Sequence, residues 1–186
     1  MRLRDALWVF VALASLPAWA QNSKLPDLPY AAPVASSGQL PAHPYDPTRD
    51  AAADVEHAIA EAQKTGKRII LEVGGNWCPW CQRLDQFFQE HPDLLRIREQ
   101  NFITVYVSYS PENRNQRALS RYSKVLGIPH FFLLDKDGTM LHSQHLVELQ
   151  TGDVYSAQKM KEFLTQWSPA AATLTKSASP ATRQVE

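Results

Sequence analysis

Between a short apolar run and an amphipathic segment the chain places Trp77-Cys78-Pro79-Trp80-Cys81, which holds both of its cysteines. The run RIILEV, 68–73, reads as a strand. The segment that follows, CQRLDQFFQEH, sets Cys81, Leu84 and Phe88 at the three-four spacing of a helix face. Two cysteines allow one pairing, and here only Pro79 and Trp80 separate them. A bridge across so short a loop removes little freedom from the unfolded chain, so it makes a poor structural staple. A metal clip would need two further ligands converging on the pair. His142 and His145 form an HxxH, but they lie beyond a hairpin strand and on no common helix face. The pair therefore reads as redox chemistry, placed where a strand runs into a helix.

The rest of the chain sorts into four parts. Residues 1–20 carry Arg2 and Arg4, an apolar run from Ala6 to Leu16 and the small-residue site Ala18-Trp19-Ala20, the layout of a secretory signal peptide. That run is shorter than the ~20 residues needed to cross a bilayer. Export would bring the cysteines into an oxidising compartment, the periplasm. Residues 21–48 read as a Pro-rich linker, 49–168 as the folded domain and 169–186 as a disordered tail without periodic apolar positions. Lys plus Arg number 19, as do Asp plus Glu. A balance of this kind gives no reason to expect nucleic acid as a partner.

Within the domain, Asp50 caps a predicted helix over AAADVEHAIAEAQKTG, which Gly66 ends. A short helix is expected at 92–100, a strand at 101–109 and a helix over RALSRYSKVLG, ending at Gly127. HFFLLDKDGTMLHS reads as a hairpin about Asp137-Gly138, and SAQKMKEFLTQW as a closing helix. Alternating helices and strands predict an α/β domain whose sheet is covered on both faces.

With these elements in place, the chain resembles the thioredoxin superfamily, and within it the exported bacterial proteins. The carriers are the WCPWC between strand and helix and Gly127-Ile128-Pro129 before the hairpin. The resemblance implies a thioredoxin fold, with a central mixed sheet flanked by helices on both faces, and no cofactor. It implies that Trp77 packs beside the site. It also implies that Glu72 is a buried acid assisting proton transfer to and from Cys81, although thioredoxins mostly carry Asp there. Pro129 would be cis, and Ile128 would offer backbone groups to an extended substrate. Pro79 suits the first helical position, and Trp80 covers the pair or meets a substrate. At a helix N-terminus Cys78 would be the thiolate nucleophile, with Cys81, one turn on and further inside, resolving the mixed disulfide. His130, Tyr106, Tyr109 and Tyr122 read as packing residues.

The expected activity is thiol–disulfide exchange on exported proteins, leaning toward reduction. That direction needs a membrane electron donor of a disulfide interchange system. The alternative is a non-catalytic thioredoxin-like module that binds a metal or a partner.

Overall fold

The structure is a computed structural model and describes residues 44–170; the signal-peptide reading and most of the predicted linker and tail lie outside the described residues. Helix α1, Ala51–Thr65, starts where the Asp50 carboxylate accepts the Ala52 and Ala53 amides, and ends at Gly66 in the left-handed region, φ 73°. Capping by Asp and a left-handed Gly satisfies groups at both helix ends that would otherwise have no partner. Strand β1, Arg68–Gly74, leads to α2, Pro79–Glu90, then α3, Pro92–Asn101, and β2, Phe102–Ser108. A four-residue helix α4, Gln116–Leu119, precedes the hairpin of β3, His130–Leu134, and β4, Met140–His145. A 3-10 turn at Leu146–Leu149 then runs into a small hairpin, β5 Gln150–Thr151 and β6 Val154–Tyr155, before α5, Ala157–Gln166.

The four long strands form one sheet in the order β2-β1-β3-β4. β1 pairs parallel with β2 and antiparallel with β3, so the sheet is mixed. β1 is buried along nearly its whole length, as expected of a central strand covered on both sides. Its side chains alternate between two cores. Ile69, Leu71 and Val73 join Val55, Ala58 and Ala62 of α1. Ile70 faces the other layer, with Leu84 and Phe88 of α2, Leu94 and Leu95 of α3, and Met160 and Leu164 of α5. Glu72, two residues beyond Ile70, points toward this second layer, beneath the helix that begins with the cysteine motif.

The predicted helix from Arg117 to Gly127 is shorter than expected. After α4 the chain turns, with the Tyr122 amide bonded to the Leu119 carbonyl. Tyr122 stacks on Phe132 of the sheet at 5.5 Å between ring centroids, while Leu126 is left exposed. Ser120 and Ser123 are weak helix formers, and Ile128, before Pro129, is disfavoured in helical geometry. Packing on the sheet therefore overrides the apolar spacing. Gly127 is not a helix stop either. A Cβ there would lie 2.2 Å from Nε2 of His145, so glycine is needed for close approach of this loop to β4.

Candidate active site

Cys78 is the N-cap of α2, and its Sγ accepts the Cys81 amide at 3.2 Å. Pro79 fills the first helical position, where a missing N–H costs nothing. Unpaired amides at a helix start favour a negative charge. A hydrogen bond from the Cys81 thiol to the Cys78 sulfur, with help from the Cys81 and Trp80 amides, overcomes burial and brings the Cys78 thiol down to about 7. Cys81 moves the opposite way, raised by its contact with Cys78, by burial and by the Glu72 charge. Both are buried and are not bridged in this structure. Cys78 keeps 4% of its surface exposed and Cys81 none, so an incoming disulfide can meet only Cys78 first.

Glu72 is fully buried, and each of its oxygens has a strong donor. The Tyr45 hydroxyl donates to Oε1 at 2.6 Å, and Nη2 of Arg98 donates to Oε2 at 2.5 Å. Arg98 comes from α3, is 2% exposed, lies over the Phe88 ring at 4.7 Å and also bonds Thr104 Oγ1 through Nε. The sequence reading placed a proton-carrying carboxyl at this position and had no cation for it. The structure supplies one.

Tyr45 belongs to the stretch read from sequence as linker, yet it is 2% exposed and shares a cluster with Cys78 and Cys81. Its backbone is held by a two-way exchange with the Asn76 side chain, at 3.3 and 2.7 Å. Gly74 makes room for it, since a Cβ there would sit 2.6 Å from the tyrosine ring. Burial and the neighbouring Glu72 charge keep its phenol protonated and therefore a donor. Asp85 was also missed. It lies four residues past Cys81 on α2, half-buried, and burial with the Glu72 charge pushes its carboxyl up to about 7.

The motif's aromatics divide. Trp77 is 59% exposed rather than packed beside the site; its Nε1 donates to the Tyr109 carbonyl and its ring lies across Gly75. The small residue lets the indole lie flat on the surface instead of turning inward. Trp80 is half-buried, edge-on to Tyr155 at 5.9 Å, with the Arg83 guanidinium 4.5 Å over its ring. The Tyr155 hydroxyl donates to the Trp80 carbonyl, so the β5–β6 hairpin braces the dipeptide between the cysteines. Ile128 packs against the cysteine cluster, Pro129 is buried, and the peptide between them is cis. Among the described residues no group of three or more His, Cys, Asp or Glu side chains is arranged to hold a metal.

His130, next to Pro129, is fully buried, with Nε2 2.8 Å from Ser143 Oγ and Nδ1 unpartnered. Burial and then the nearby His145 hold its pKa down at about 4, against 6.5 in the free side chain. An unfolded chain takes up that proton near 6.5 and the native state does so only near 4, so stability is lost as pH falls through this window. Relative to His130→Phe, the unsubstituted protein should lose on the order of 2 kcal/mol between about pH 7 and pH 4 in urea titrations. Parallel curves for the two proteins would remove His130 from the account. Asp85 acts in the opposite direction but is common to both.

A CxxC at a helix N-terminus, beside a proline loop on a mixed four-stranded sheet, defines a thioredoxin-fold protein. Residues 50–136 match the thioredoxin-like family model. It is 29% identical to the thiol:disulfide interchange protein DsbE of Pseudomonas aeruginosa, over 48% of this chain and 57% of that one. It is 31% identical to the chloroplastic thioredoxin-like protein HCF164 of Arabidopsis thaliana, over 47% of this chain and 34% of that one. The chain thus spans about half or less of the length of these relatives. Among solved structures it is similar to a disulphide isomerase from Xylella fastidiosa Temecula1, with 26% identity, a TM-score of 0.57, and coverage of 66% of this chain and 95% of that one.

Proposed function

We propose that the protein is a thiol–disulfide oxidoreductase that reduces disulfides of exported proteins in the periplasm. The observation that carries this reading is the asymmetry of the pair: Cys78 caps a helix with its sulfur stabilised as thiolate, while Cys81 is held as a thiol behind it. Cys78 attacks a substrate disulfide, releasing one substrate thiolate and forming a mixed disulfide. Cys81, losing its proton, attacks Cys78 Sγ and releases the second. The substrate gains two electrons and the protein leaves as the Cys78–Cys81 disulfide. Pro79, Trp80, Ile128 and Pro129 flank the point of attack, the outward Trp77 lies at its margin, and together they form the substrate-binding surface; Glu72 completes the catalytic set as the carboxyl beneath Cys81.

A magnitude supports the direction. A more stable thiolate makes a more oxidising pair, and strong oxidants of this fold bring the nucleophile to about 3.5, whereas reductants leave it near 7. Cys78 at about 7 lies on the reductant side of this range. Disulfide interchange in the names of relatives supports the same class. To be re-reduced in an oxidising compartment, the pair takes electrons from a membrane donor of a disulfide interchange system.

Equilibration with glutathione buffers should place the pair near about −270 mV. A value near about −120 mV would make the protein an oxidant and overturn the direction.

A further inference from the structure

Two acids lie under the cysteine pair, and they are not equivalent. Both oxygens of Glu72 are occupied, one by the Tyr45 hydroxyl and one by Nη2 of Arg98. Asp85 has a buried oxygen, Oδ1, with no hydrogen-bond partner, and Nη1 of Arg98 is likewise buried and open. Asp85 follows Cys81 by four residues on α2, which puts the two side chains on one helix face a single turn apart. An acid that is to exchange a proton needs a free oxygen and a position near the thiol. Only Asp85 combines them.

We propose that Arg98 is a positioning residue that divides labour between the two acids: it occupies the Glu72 carboxylate and leaves Asp85, with its open oxygen, to take the proton from Cys81 as Cys81 attacks the mixed disulfide. This rests on the oxidoreductase reading above and names its proton carrier. In the step, the Cys81 S–H bond breaks and its proton passes to Asp85. A sulfur–sulfur bond forms to Cys78, and the bond from Cys78 to the substrate breaks. The electron pair leaves with the substrate thiolate, and Asp85 then gives its proton to solvent or to that thiolate.

The electrostatics suit the assignment. Burial and the Glu72 anion raise the Asp85 carboxyl to about 7, while Arg98 opposes them and a Cys78 thiolate adds to them. The other titratable groups facing this space are Tyr45 before α1, Tyr106 of β2 and Tyr155 of β6. Burial raises all three phenols, so they stay protonated through the working range. With the phenols silent, Asp85 is the acid placed to titrate near neutrality.

The test isolates the second step. One equivalent of a coloured aromatic disulfide, a dithiobis-nitrobenzoate, releases one thiolate when Cys78 attacks and a second when Cys81 resolves the adduct. The rate of the second release is followed against pH. The unsubstituted protein should show an inflection near 7. Asp85→Asn should lose that inflection and resolve about 100-fold more slowly at neutral pH. Glu72→Gln should keep an inflection, moved to lower pH because the neighbouring charge is gone. Arg98→Met should add a second inflection, and Arg98→Lys should return the profile to one. If Glu72→Gln abolishes the inflection while Asp85→Asn retains it, or if Arg98→Met leaves a single unshifted inflection, the division of labour is wrong. If the unsubstituted protein gives no second release at all, the oxidoreductase reading itself fails and takes this inference with it.

Discussion

Cys78→Ser is expected to abolish disulfide reduction, with turnover of insulin in the presence of dithiothreitol falling by at least about 1000-fold. Cys81→Ser is expected to lose turnover as well, but by a different route. The outer cysteine would still attack, its sulfur stabilised at the helix start, and the adduct would then have no resolving thiol. Covalent complexes with substrate proteins should therefore accumulate in Cys81→Ser and be absent in Cys78→Ser, as read on non-reducing gels. The expectation rests on exposure and on charge: the 4% of Cys78 left open faces the surface, and Cys81 is completely enclosed with its thiol form favoured. Complexes that accumulate on Cys81 instead would reverse the two roles. Retained turnover in Cys78→Ser would remove the protein from this class of enzyme.

Arg98→Met should destabilise the fold by about 3–5 kcal/mol, because it leaves the Glu72 carboxylate buried with no cation and only the Tyr45 hydroxyl for a partner. This pair differs from the surface bridges of the molecule. Arg117–Asp50 and Arg121–Glu56 join side chains that are more than half exposed, and such pairs contribute ~0–1 kcal/mol. Arg98 and Glu72 are 2% and 0% exposed. Taking both charges out of water is costly, and their attraction repays that cost only when both are present. The double variant Glu72→Gln, Arg98→Met should accordingly recover most of the loss, since no charge is then stranded. Urea denaturation of the two single variants and the double variant measures the coupling. A loss below about 1 kcal/mol in Arg98→Met would mean that Glu72 has another means of compensation.

The fold was legible wherever local pattern and tertiary need agree. RIILEV is a strand because it is apolar throughout and lies at the centre of the sheet. The capped helix from Ala51 has its stop at Gly66, the first glycine after its last turn. The cysteine motif, the proline loop and the Asp137-Gly138 hairpin stand in sequence almost where they stand in space. Readings went astray where one long-range contact decides. The stretch after Leu119 has helical spacing, but stacking of Tyr122 on Phe132 and the restriction before Pro129 hold it in turns. Trp77 was expected beside the pair and lies outward across Gly75. Arg98 sits in a polar, weakly amphipathic helix, where an arginine ordinarily reads as a surface residue, and only the third dimension brings it under Glu72. Asp85 was hidden in the same way, as one more polar residue on the helix after the motif. Tyr45 gave no signal at all: it stands alone among prolines, and its partners are 27 and 31 positions downstream.

The tyrosine has a practical consequence for anyone dissecting the molecule. Cutting at the start of α1 would keep every strand, both cysteines and the proline loop, and the piece would pass as the whole catalytic unit. It would also pull the stopper from beneath the site: water would reach Glu72, one of its two donors would be gone, and the hollow beside Gly74 would stand empty. Redox measurements on such a fragment would describe a different protein, so the functional unit begins upstream of its first helix.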